Sequence, residues 1–240
     1  MENEIKAIEV QKISKTYGNS VALNNVSFSV KKGTIHGFIG PNGAGKSTTL
    51  GILMRLIFPD SGEAYVEGKS VKNDPYFNQN LGFVPADVKF PDFTVKKYVS
   101  VCSYLRDIPE EVAMEKLSNS PLNQYQEKKC AELSTGWKKF LQIFALGLYK
   151  PRILILDEPF NGLDPTFRTI LFEELIKAKE EGRTVLLSTH ILSDLQELAD
   201  NITMIKLGNI IYTGPKSADI QKTYEEYFIR QEKAEKQFSL

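Results

Sequence analysis

The sequence predicts an α/β fold: a parallel sheet wound with helices, joined to an antiparallel β part from about residues 1–33 and 60–80, and interrupted by a helical insertion over about residues 90–149. Three observations predict it. Short apolar runs recur, each leading into a helix-like pattern, as parallel strands buried on both faces do. One of them, Ile35-His36-Gly37-Phe38-Ile39, feeds a glycine-rich loop and then a helix-like stretch from Ser47 through Leu56. Between residues 90 and 149 the strand signals give way to period-3.6 patterns. At 240 residues the chain can bury one sizeable core, and we read residues 1–240 as a single domain.

Taken in order, Ile8-Glu9-Val10 and Val26-Ser27-Phe28-Ser29-Val30 alternate like half-buried strands, with Tyr17-Gly18-Asn19-Ser20 as a turn between them. Lys31-Lys32-Gly33 turns the chain into the run at 35. After the glycine-rich loop and its helix, Pro59-Asp60-Ser61-Gly62 breaks the chain before a hairpin strand at 63–68 and a short strand at 81–84. Thr94 is placed to cap a helix whose Val95, Val99, Cys102 and Leu105 share one face. Pro109-Glu110-Glu111 starts a second helix, which Pro121 stops. The third is the clearest: Trp137, Phe140, Leu141, Phe144, Ala145 and Leu148 make one apolar face, with Lys138, Lys139 and Gln142 off it. From 153 the α/β rhythm returns, with strands at 153–156, 185–188, 202–205 and 210–212 and helices at 165–179 and 193–199. Residues 224–240 read as a charged, helix-prone tail that frays.

Thirty basic and thirty acidic side chains cancel, so no overall field recruits nucleic acid or anionic lipid. The two cysteines, Cys102 and Cys130, have neither metal-ligand nor redox spacing and suit a reducing cytosol. Met1-Glu2-Asn3-Glu4-Ile5-Lys6 lacks the apolar core of a signal peptide, and no apolar run reaches the roughly 20 residues that cross a bilayer. Any work at a membrane therefore calls for another chain to supply the membrane part.

The loop Gly40-Pro41-Asn42-Gly43-Ala44-Gly45-Lys46-Ser47-Thr48 matches G-x-x-x-x-G-K-[ST] between a strand and a helix, the P-loop pattern. Its glycines let backbone N–H groups converge on a phosphate at the positive end of the following helix. Lys46 is placed to reach the β- and γ-phosphates, and Ser47 to ligate Mg²⁺. Asp157 and Glu158 follow the apolar run at 153–156, at the strand ends where ligands of open parallel sheets collect, and are expected to face the loop from the neighbouring strand end. Asp157 can then hold Mg²⁺, and Glu158 can accept the proton of a water attacking the γ-phosphate. His190 ends the strand at 185–189 in the same position and can hold that water in line, whereas His36 reads as a packed, hydrogen-bonded residue. Leu133-Ser134-Thr135-Gly136-Trp137 opens the third helix of the insertion, with Ser134 as cap and Gly136 giving backbone access, a second anion site.

Residues 40–48, 133–137 and 153–158, Asn161-Gly162-Leu163-Asp164 and His190 stand in the order and spacing of an ABC-transporter ATP-binding subunit, a resemblance that covers residues 8–228. It implies a P-loop NTPase (RecA-like) core, ATP with Mg²⁺, and ATP hydrolysis coupled to transport. It also implies that residues 133–137 act as the signature, that Asp164 closes the D-loop, and that Tyr17 stacks on adenine. In that family two subunits close head-to-tail, so Ser134 and Gly136 would serve the partner's ATP. The resemblance further implies a separate transmembrane subunit, a cytoplasmic place at the inner face of the membrane through that partner, and no nucleic-acid partner. The run Thr223-Tyr224-Glu225-Glu226-Tyr227-Phe228 is similar to the end of bacterial exporter subunits.

Three departures from the family pattern stand out. Thr135 and Trp137 replace a Gly and a Gln of the signature, Ala86 stands where the Q-loop has Gln or Glu, and Phe140 replaces a basic residue. Asp87 is expected to take over part of the Q-loop contact. The surface at 86–98, with Phe90, Phe93 and Tyr98, is expected either to receive a short helix of the membrane subunit or to be local core. Two other readings stay open: a soluble ABC-type ATPase acting on nucleic acid or the ribosome, and a regulatory subunit that binds ATP and hydrolyses little.

Overall fold

The computed structural model describes residues 5–87 and 89–237, with side chains as far as residue 228. Expectations placed on residues 1–4, on Val88 and on residues 238–240 lie outside the described residues. The chain opens with β1 (Lys6–Tyr17) and β2 (Ser20–Lys31), one long hairpin closed by Gly18 and Asn19. Next come β3 (Ile35–Ile39) and α1 (Lys46–Leu53), then β4 (Ser61–Val66), β5 (Lys69–Ser70) and β6 (Leu81–Val84). The helices α2 (Val95–Tyr104), α3 (Glu110–Ser118) and α4 (Thr135–Tyr149) follow. The chain continues through β7 (Ile153–Asp157), α5 (Pro165–Glu180), β8 (Thr184–Thr189) and α6 (Leu192–Leu198), and finishes with β9 (Asn201–Lys206), β10 (Asn209–Pro215) and α7 (Ile220–Gln237).

Two sheets result. One is antiparallel, in the order β2-β1-β4-β5; the other has the order β10-β9-β3-β8-β7-β6, parallel from β9 to β6 with β10 antiparallel on its edge. Period-2 alternation divides the central strands between two cores. Ile153, Ile155, Leu186 and Phe38 face a core shared with α1 and the antiparallel sheet. Leu154, Leu156, Leu187 and Ile39 face a second core shared with α5 and α6. Helices α2 to α4 bury a third, around Val95, Val99, Leu117, Leu122, Leu141 and Leu148. Helix α4 serves both of the last two, since its Ile143 and Leu146 pack on the second core.

Several expectations need correction. Helix α1 stops at Leu53, short of Leu56, because Arg55 adopts φ 57° and Leu56 N–H turns back to the Gly51 carbonyl, a Schellman ending. Leu105 is exposed; the third buried position of α2 is Ser103, whose hydroxyl donates to the Ser100 carbonyl. A spacing of 95, 99, 103 follows the helix stripe, and 105 falls off it. Lys139 is buried and lies on the packed side of α4. The final helix starts at Ile220, and its first turns are docked: Ile220 is buried, Tyr224 packs on the second core and Tyr227 lies 5.2 Å from Tyr212, ring centre to ring centre. Phe90 and Tyr98 meet edge to face at 5.0 Å and pack on the third core.

Candidate functional site

The loop after β3 owes its shape to neighbours on both sides. A Cβ on Gly40 would lie 2.4 Å from the Ile205 carbonyl oxygen of β9. Gly45 sits at φ 109°, and a Cβ there would come within 2.7 Å of the Ala22 carbonyl oxygen of β2. Only glycine fits either place. Gly45 caps α1 without a side-chain hydrogen bond, so the first N–H groups of that helix have no acceptor within it and face the loop. Ala44 is buried, while Pro41, Asn42, Gly43 and Ser47 are exposed and Thr48 is half-buried.

Lys46 is 5% exposed, and its ammonium folds back over the loop. Nζ donates to the carbonyls of Gly40 at 2.7 Å and Pro41 at 3.2 Å. It also stands 3.1 Å from Glu158 Oε1, so of the two acids Glu158 meets the lysine. The route differs from the expected one. β8 separates β7 from β3, so Asp157 and Glu158 come from two strands over.

Asp157 ends β7 opposite Ser188, whose hydroxyl donates to Asp157 Oδ1. The same hydroxyl accepts from Glu158 N–H at 3.0 Å, and the Ser188 carbonyl accepts from it at 3.2 Å. Glu158 itself adopts φ 46°, a left-handed conformation that costs a glutamate of the order of 1 kcal/mol or more. Its carbonyl accepts from Lys139 Nζ at 2.6 Å and from Asn161 N–H at 3.2 Å. These bonds hold the peptide while the carboxylate reaches between Lys46 and His190, whose Nδ1 lies 3.0 Å from Oε2. Lys46, Glu158 and His190 thus form one connected polar chain, buried at the lysine end and open at the histidine end. His36 stays apart: it is buried, its Nε2 is 2.8 Å from Thr203 Oγ1, and burial pushes its pKa down to about 4.

Other expected residues stand further off. Tyr17 is exposed and pairs across the hairpin with Ser20, with Lys15 Nζ 5.5 Å from its ring centre. Ser134 caps α4, accepting from Trp137 N–H at 3.4 Å. Gly136 is buried, and the space its missing Cβ leaves is filled by the Phe167 ring, 2.8 Å from where that carbon would be. Asp164 caps α5, accepting from the N–H groups of Thr166 and Phe167. Among the described residues no hydrogen bond or ion pair joins Ser134, Gly136 or Asp164 to Lys46 or Glu158 of the same chain. Trp137 and Phe167 meet at 4.8 Å, so the two replaced signature neighbours, Trp137 and Phe140, clamp α4 on α5. Lys139 was missed by sequence reasoning. Its spacing places it beside Gly136 and Ile143, and only the position of β7 reveals what it touches.

The comparisons agree with this geometry. The family model described as ABC transporter matches residues 23–161. The chain is 34% identical over 223 residues to Nod factor export ATP-binding protein I of Burkholderia orbicola (strain AU 1054), covering 90% of this chain and 73% of that one. It is 33% identical over 228 residues to lantibiotic transport ATP-binding protein SrtF of Streptococcus pyogenes, covering 93% of this chain and 96% of that one. Among solved structures, an ATP-binding subunit of an ABC transporter superposes with TM-score 0.82 at 26% identity, over 93% of this chain and 98% of that one. An ATP-binding cassette in its ADP conformation superposes with TM-score 0.77 at 25% identity, over 93% and 98%. A P-loop lysine meeting a strand-end glutamate, on a sheet shared with these cassettes along nearly its whole length, places the chain in the ABC transporter family as one of its ATP-binding, ATP-hydrolysing subunits.

Proposed function

We propose that this subunit powers an exporter by closing head-to-tail on a second ATP-binding subunit, with ATP·Mg²⁺ held between the two. The observation that carries this reading is the Glu158 carboxylate poised between Lys46 and His190. The loop amides of residues 40–48 and Lys46 receive the phosphates, and Lys46 exchanges the Gly40 and Pro41 carbonyls for phosphate oxygens. Tyr17 offers its exposed ring to adenine. Glu158 takes the proton of the attacking water. His190, oriented by Glu158 through Nδ1, keeps Nε2 for the γ-phosphate.

Ser47 and Asp157 fit a magnesium ion. Asp157 uses one oxygen on Ser188, and no group of three His, Cys, Asp or Glu among the described residues could hold an ion by itself. Such an ion takes its other ligands from phosphates and water, as Mg²⁺ does. When bound, it supplies charge stabilisation on the phosphoryl oxygens.

Ser134, Gly136 and Asp164 act toward the partner's nucleotide, because Ser134 and Asp164 are exposed at helix starts that their own P-loop leaves unvisited. No helix among the described residues is long and apolar enough to cross a membrane, so a separate transmembrane subunit carries the cargo and holds this one at the inner face of the membrane. Export is favoured because relatives are named for Nod factor export, lantibiotic transport and linearmycin resistance. Steady-state ATPase measurements on the purified protein, with and without the membrane protein that co-purifies, test the reading. ATP-dependent phosphate release that the membrane partner stimulates supports it. No release in either sample overturns it.

A further inference from the structure

Lys139 is 3% exposed, and a buried ammonium needs partners. Its Nζ donates to the Glu158 carbonyl at 2.6 Å, while the carboxylates of Glu158, Asp157 and Asp87 act on it electrostatically. That carbonyl has two lone pairs, and Asn161 N–H takes the second at 3.2 Å. On the other side of the residue, Ser188 holds Glu158 N–H with both its carbonyl and its hydroxyl. The Glu158 backbone, at φ 46°, is therefore gripped at both ends. Of the four gripping groups, only Lys139 comes from the helical block. It sits on the same helix as Ser134, whose exposed N-cap opens α4.

We propose that Lys139 is a positioning residue for Glu158: it ties the helix that begins at Ser134 to the peptide that carries the base, so the carboxylate is aligned with Lys46 and His190 only while α4 is seated on the core. This rests on the reading of Glu158 as general base. A shift of α4 withdraws the ammonium from the Glu158 carbonyl, and the left-handed peptide loses the one donor that the helical block supplies. Events at the second helix start are thereby reported to the subunit's own chemistry, without any contact between Ser134 and the P-loop.

The test is Lys139→Met, which keeps the length of the side chain and removes the ammonium. Misplacing a catalytic group by a fraction of an ångström to one ångström costs up to about 10²-fold, so kcat is expected to fall roughly 10- to 100-fold. KM for ATP and nucleotide binding are expected to stay within about twofold, because the P-loop is untouched. Lys139→Arg, which restores a cation, is expected to recover part of kcat. In a Glu158→Gln background the residual turnover is expected to be the same with and without Lys139→Met, since there is no base left to align. Unchanged kcat in Lys139→Met, or an equal loss in the Glu158→Gln background, overturns the proposal. Normal turnover by Glu158→Gln alone overturns the reading beneath it, before the lysine is touched. Should Lys139→Met not fold, Lys139→Gln is judged by the same criteria.

Discussion

Two helices of this molecule, α1 and α4, begin in ways that can receive an anion, and they are built differently. α1 starts at Gly45, with no side-chain cap and with Lys46, Glu158 and the loop carbonyls gathered around it. α4 starts at Ser134, whose hydroxyl already accepts from Trp137 N–H, with Phe167 packed beneath Gly136 and an exposed outer side. The first gathers charged side chains of its own chain around the helix start. The second gathers none; it is finished on its inner side by packing and open on its outer side. A helix start alone thus says little about function; what matters is whether charged side chains of the same chain converge on it.

The largest expected effect tests the first of these helix starts. Glu158→Gln should keep ATP binding and lower steady-state phosphate release by roughly 10²- to 10⁴-fold, the usual share of general-base catalysis. Normal turnover would remove Glu158 from the mechanism.

Next comes the strand that carries α1. Burial holds His36 down to about pKa 4 in the fold against 6.5 when exposed, so between pH 6.5 and 4 the unfolded chain binds the extra proton. Stability then falls as pH falls through that window, by at most about 3 kcal/mol. Urea melts of wild type and His36→Gln across this range should diverge, the variant giving the flatter profile. Parallel profiles would clear His36 of the acid sensitivity.

A smaller effect is expected at the second helix start. Gly136→Val drives a side chain into the Phe167 ring and should cost about 2 kcal/mol in denaturant melts, partly relieved by Phe167→Ala. A stable Gly136→Val protein that loses only ATP-driven association would instead assign this glycine to ligand approach.

The smallest concerns the bridge between the two regions. Asp87 is exposed and acts on Lys139 at a distance, so Asp87→Ala should slow hydrolysis by no more than about fivefold, the worth of an exposed charge. An unchanged rate would leave the Q-loop contact, lost with Ala86, without a substitute.

Much of the first region was legible in the chain. Gly40, Gly45, Lys46, Asp157 and Glu158 lie within two short segments whose local geometry is set by glycine chemistry and by buried parallel strands, and such rules act over a few residues. The intervening strand β8 was not legible, because strand order is a tertiary choice. Nor was Lys139: helical periodicity put it off the one apolar face, but α4 packs on two cores and Lys139 is buried between them and β7. Leu105 and Ser103 exchanged places for a simpler reason: α2 ends at Tyr104, so Leu105 falls at its cap and not on its packed stripe.

By itself the sequence determined that a phosphate-binding loop, two strand-end acids and a helical insertion exist in this order, because each is written in local pattern. Only the tertiary structure decided which groups meet: that Lys46 reaches Glu158 across an intervening strand, that Gly136 yields its space to Phe167, and that a lysine of the helical block holds the Glu158 carbonyl. Those contacts join residues far apart in the chain. They depend on how sheets and helices pack to bury three cores at once, and no local periodicity encodes that.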